Sequence, residues 1–137
     1  MRIGLAANRL HHQDARAALF RWLRACEPGL RELGITLHAV GRTHDAIGRH
    51  GFLDGYAGLH RYPYGREGGL MKLVAEVVGM GPQRTLDGAI YLIDPVDPSS
   101  VFPEATALKR QCVIHGKPFI STVATLSLIH ISEPTRQ

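Results

Sequence analysis

Two apolar runs limit what this chain can fold into more than any other feature. "RIGLAA" at 2–7 and "LDGAIYLI" at 86–93 are apolar almost without interruption, with no polar side chain at every second place. A strand of that kind is covered on both faces, as in a parallel sheet between helical layers. The stretches between the strands carry a different period. Ala15, Ala18, Leu19, Trp22, Leu23 and Cys26 fall at helical spacing, and so do Leu70, Leu73, Val74 and Val77. Asp14 is placed to cap the first of these helices, and "EPG" at 27–29 to bend or end it. "GRTHDAIGRH" adds a short helix after a glycine turn, and "FPEATALKRQCVI" (102–114) a later one with Pro103 in its first turn. "GITLHAV" (34–40), "YAGLHRY" (56–62) and "KPFIST" (117–122) supply three more strands. Strand and helix alternate throughout, which predicts a three-layer α/β/α sandwich around a five-stranded parallel sheet.

At 137 residues the chain fits one domain with room for a core. No apolar run reaches the length of a bilayer span, so no membrane partner is expected. The N-terminus enters a strand directly rather than a secretory leader, which suggests a cytoplasmic protein. Cys26 and Cys112 lie inside helical patterns and read as buried, reduced thiols. The formal charge is +4, but the Lys and Arg residues are scattered and form no run. A nucleic-acid surface would need a basic patch with interleaved aromatics, and no nucleic-acid partner is expected; anionic small molecules explain the mild surplus equally well.

In an open parallel sheet, ligands sit beyond the carboxyl ends of the strands. "YLIDPVDPSS" (91–100) is such an end: the apolar run stops at Asp94 and prolines turn the chain across the rim. The first strand offers Asn8 and Arg9 there. The second offers Gly41, Arg42 and Thr43, and the third offers Arg61 and Tyr62 with the loop "PYGREGG". A glycine turn opening a helix suits a phosphate, Arg42 adds a bidentate cation and Thr43 a hydroxyl. Glu67, Asp94 and Glu104 give carboxylates suited to taking a proton beside a carbonyl, although first-turn acids also occur for helix stability alone. The eight histidines, "HH" at 11–12 included, read as loop residues with no metal-ligand spacing. "GREGG" lacks the Gly-Lys-Ser/Thr ending of a phosphate-binding P-loop.

Over nearly all of residues 2–125 these rim motifs resemble the methylglyoxal synthase-like family. "RIGLAAN", "HAVGRTHDAI" and "YPYGREGG" are similar to its first strand, its phosphate turn and its Gly-rich catalytic loop. "IYLIDPVDPSSVFPEATALKRQCVIHGKPFISTVAT" is the most specific stretch of the likeness. The resemblance implies a sheet in order 3-2-1-4-5, no cofactor or metal, and a homo-oligomer, typically a hexamer. It implies a lyase that converts dihydroxyacetone phosphate into methylglyoxal and phosphate. It equally allows a non-catalytic domain that binds a phosphorylated metabolite. On this likeness Glu67 is the base, with Asp94 and Glu104 as further catalytic carboxylates. Asn8, Arg16, Gly41, Arg42, Thr43 and Arg61 take the substrate and its phosphate. The chain also departs from the family: Asn8 and Val101 stand where it has histidines, Arg9 where it has an aspartate, Val40 and Arg42 where it has threonines, and Arg61 and Tyr62 where it has Ser-Gly.

"LSLIHISEPTRQ" (126–137) resembles the translation of a transposase-derived sequencing adapter from Leu126 to Arg136. The expectation is a native domain reaching about Thr125, its own C-terminus missing, and a foreign tail that adds little to stability.

Overall fold

The computed structural model describes residues 1–79, 85–98 and 102–128. Five strands form one sheet: β1 (Arg2–Ala7), β2 (Thr36–Ala39), β3 (Leu59–Arg61), β4 (Gly88–Leu92) and β5 (Phe119–Ile120). They lie in the order β3-β2-β1-β4-β5, and every neighbouring pair is parallel. The helices are α1 (Ala18–Leu33), α2 (Gly41–Arg49), α3 (Gly69–Val78), α4 (Pro103–Ile114) and α5 (Val123–Ser127). Short 3-10 turns cover Arg9–His12 and Gly65–Glu67. Among the described residues no helix is long and apolar enough to cross a membrane.

The two-residue period of the strands divides the core in two. Leu5, Leu37, Ala39, Ile90 and Leu92 point to one face, where Leu19, Phe20, Leu23 and Leu30 of α1 and Ile47 of α2 cover them. Ala6, Ala89 and Tyr91 point to the other, under Leu73 and Val77 of α3 and Leu108 and Cys112 of α4. All five residues of β4 are buried, as its unbroken apolar character requires. Cys26 and Cys112 are buried, unbridged thiols, one in each half of the core.

α1 departs from its expected bounds at both ends. Asp14 does not cap it. The Asp14 side chain accepts the Arg16 N–H at 2.8 Å and its carbonyl accepts the Ala17 N–H at 2.9 Å, a local turn that delays the helix to Ala18. Nor does "EPG" end it. Pro28 costs a helix about 3 kcal/mol in isolation. Here Cys26 and Leu30 on either side of it are core residues, and Glu27 ties the helix to the Leu53 N–H at 3.1 Å. Tertiary burial outweighs the local preference, and α1 stops only at Gly34, whose φ of 64° closes the last turn.

Leu126, the first residue of the adapter-like stretch, is packed. It is 1 % exposed and belongs to the α1 side of the core. Val101 and the rest of the adapter-like stretch from 129 lie outside the described residues.

Candidate functional site

The strand order reverses between β1 and β4, and Asn8 bridges that point. Its N–H donates to the Leu92 carbonyl at 2.8 Å, and its side-chain oxygen accepts the Asp94 N–H at 2.7 Å. Its amide nitrogen reaches the Tyr91 hydroxyl at 3.4 Å. The ends of the two central strands are therefore held in register by one buried amide. Asp94 folds back on its own backbone. Its carboxylate accepts the Val96 N–H at 3.1 Å and its carbonyl accepts the Asp97 N–H at 3.0 Å, the turn that the Asp-Pro pair announces. Burial pushes the Tyr91 phenol up, and the carboxylates of Asp97 and Glu104 add to that shift. One side of the switch point thus carries Asp94, Asp97 and Glu104.

The other side is cationic. Thr43, in the first turn of α2, is wholly buried. Its hydroxyl accepts the Ala7 N–H at 3.2 Å and lies 3.0 Å from His12 Nε2. His12 is itself buried, and burial drives its pKa down to about 4; the nearby guanidiniums of Arg49 and Arg42 lower it further. The His12 carbonyl accepts from Arg49 at 3.3 Å and from His50 at 3.1 Å. The Arg42 and Arg49 guanidiniums near this buried imidazole favour an anion.

The β2–α2 turn closes against the β3–α3 loop. The Gly41 N–H donates to the Pro63 carbonyl at 3.1 Å. A Cβ at Gly41 would stand 2.5 Å from Tyr64 Cδ1 and 3.1 Å from the Arg61 guanidinium, so only glycine fits under that ring. Arg61 forks onto Asp45 with contacts of 3.0 and 3.1 Å. Arg42 lies over the Tyr64 ring, 6.0 Å from its centre. Glu67 is exposed, ends the 3-10 turn before α3, and makes no side-chain hydrogen bond or ion pair among the described residues.

The structure therefore joins Asn8 with Asp94, and Gly41 with Arg42 and Arg61, at one rim, with Thr43 directly behind. Arg16 stands apart: its side chain is 89 % exposed and pairs with Asp14 at 3.5 Å. The loop reading of the histidines needs correction. His38 and His60 lie in strands, His44 in α2, and the buried His11 and His12 form part of the rim. The one sign of this was that "HH" follows the first strand end closely. Asp45 and Tyr64 were likewise missed, since neither carries a motif. Among the described residues no three His, Cys, Asp or Glu side chains converge as metal ligands.

No family model and no curated protein matches the chain. Among solved structures it is similar to the methylglyoxal synthase of Elizabethkingia anophelis NUHP1, with a TM-score of 0.70 and 26 % sequence identity. The match covers 97 % of this chain and 78 % of that one. Sheet order, parallel pairing and flanking helices together establish a methylglyoxal synthase-like fold for this chain.

Proposed function

We propose that this protein binds a small ketose phosphate at the rim and acts on it as a carbon–oxygen lyase of the methylglyoxal synthase type, with dihydroxyacetone phosphate as substrate. The observation that carries the reading is the division of charge across the β1/β4 switch point. Arg42, Arg61 and the glycine turn lie on the β2 side, where Asp45 pairs with Arg61, and Asp94, Asp97 and Glu104 follow β4. A small molecule with a phosphate and an acidic C–H beside a ketone fits this rim if its phosphate lies at the β2–α2 turn and its reacting carbon between Glu67 of the β3–α3 loop and the carboxylates that follow β4. Arg42 and Arg61 neutralise the phosphate. Glu67 takes a proton from the carbon next to the ketone, and an enediolate forms. Its electron pair then expels the phosphate as the C–O bond breaks. The enol left behind becomes methylglyoxal on reprotonation. Asp94 and Glu104 accept hydrogen bonds from the hydroxyl of the reacting end.

A second reading, a domain that binds a phosphorylated metabolite without chemistry, is favoured by the exposure of Glu67 and by Asn8 standing in a family histidine position. Glu67→Gln separates the two. It preserves size and removes the base, so for a lyase kcat falls by about 10²-fold or more while the ligand's Kd changes little. Equal turnover in wild type and variant would remove Glu67 from the chemistry.

A further inference from the structure

We infer that Asp45 is a built-in competitor at the phosphate turn: it holds Arg61 in a fork that an entering dianion must displace, and so sets how strongly charged a ligand must be to bind. The inference rests on the reading of the β2–α2 turn as a phosphate site. Arg61 Nε lies 3.0 Å from Asp45 Oδ1 and its terminal nitrogen 3.1 Å from Oδ2, the parallel geometry of a guanidinium on a carboxylate. The same guanidinium hangs over Gly41. Two of its five N–H donors, those of the fork, are therefore at the turn but already committed to Asp45. The Tyr64 ring lies against Gly41, 5.2 Å from Arg61 and 6.0 Å from Arg42, and its hydroxyl donates to Asp45 at 3.4 Å. His44 Nδ1 also faces Asp45, at 3.7 Å. Tyr64 and Asp45 together make a clasp across the mouth of the turn.

The clasp is weak enough to open. Arg61 and Asp45 are 44 % and 43 % exposed, and exposed pairs of this kind contribute little net stability. A phosphoryl dianion offers more charge and more acceptor oxygens than one carboxylate, so it can take Arg61 away. A monovalent carboxylate offers the same group as Asp45 without its tether, and loses. Asp45 thus lowers affinity chiefly by occupying Arg61, and less by direct repulsion of the anion, which the solvent at this exposed pair screens.

The test is titration calorimetry of the full chain with inorganic phosphate at fixed ionic strength. Asp45→Asn should bind phosphate roughly fivefold more tightly, the scale of one exposed ion pair released. Most of the gain should be lost when Asp45→Asn is made in an Arg61→Ala background, compared with Arg61→Ala alone. Tyr64→Phe, which removes the hydroxyl on Asp45 and keeps the ring, should shift affinity in the same direction by less. Asp54→Asn, an exposed acid elsewhere, controls for net charge and should leave affinity unchanged. Affinity in Asp45→Asn equal to or below wild type would overturn the inference, as would a gain that survives loss of Arg61 undiminished or is matched by Asp54→Asn. Phosphate binding without turnover of a ketose phosphate would remove the lyase reading and leave this one intact. Absence of phosphate binding in every variant would remove both.

Discussion

His12 shows how one residue can escape a reading of the sequence and still shape the site. Two adjacent histidines in a polar stretch carry no spacing that marks them for burial. Burial comes from the 3-10 turn after β1, which folds the pair back onto the rim and sets His12 against Thr43. The consequence is a pH dependence. The ordinary value for the unfolded chain is 6.5, and the folded protein lowers it to about 4 for His12 and for His38, mainly through burial. Below 6.5 the unfolded state therefore binds protons that the folded state refuses. Stability is fully present above that value and is lost as pH falls toward about 4. Each such group costs about 1.4 kcal/mol per pH unit in that window. Urea midpoints measured from pH 7 to pH 5 should fall, and should fall less steeply in His12→Asn. Identical slopes would mean that His12 protonates freely in the folded protein. The rim positions of Asp94, Gly41 and Thr43 were legible because strand ends and glycine turns have local signatures. Asp45 and Tyr64 were not, because their roles come from contact between two loops distant in sequence.

At the scale of elements, order and type were readable from period and run length, while boundaries were set by tertiary contacts. α1 is the plain case: Pro28 and Asp14 give correct local signals that burial of Leu30 and a local turn override. β3 is the weakest strand by sequence, and its anchor is equally invisible there. Tyr62, just beyond its end, donates to Glu76 of α3 at 2.6 Å. Its oxygen is then free to accept from His38 Nδ1 at 3.0 Å, which leaves His38 Nε2 to accept from Thr36 Oγ1 at 2.9 Å. Arg2 of β1 completes the set on Glu76 at 3.2 Å. Burial and the Glu76 carboxylate push the Tyr62 phenol up, so it remains a donor. Tyr62→Phe leaves two buried polar groups short of a partner and should cost about 1–3 kcal/mol in a denaturant titration; a neutral result would mean that water replaces the hydroxyl. α5 yields a second prediction. Leu126 is buried against α1, so Leu126→Ala should cost about 2–5 kcal/mol by the same measurement. No loss would show that the adapter-like stretch is dispensable from its first residue.

The whole molecule was the most legible level. Continuous apolar strands separated by amphipathic helices admit few arrangements, and a parallel sheet covered on both faces places its ligand site at the carboxyl rim before any residue is assigned. The reversal between β1 and β4 then locates the site, and Asn8 and Asp94 lie across it. The chemistry is less firmly written, because a fold hosts many functions and the departing residues stand at the rim itself. The central claim is that this rim turns over a ketose phosphate. Its most direct test is to incubate the full chain with dihydroxyacetone phosphate and follow methylglyoxal and inorganic phosphate together, with ligand binding measured on the same sample. The account predicts equimolar release of both products at a rate proportional to protein concentration. Saturable binding of dihydroxyacetone phosphate with neither product released would contradict it.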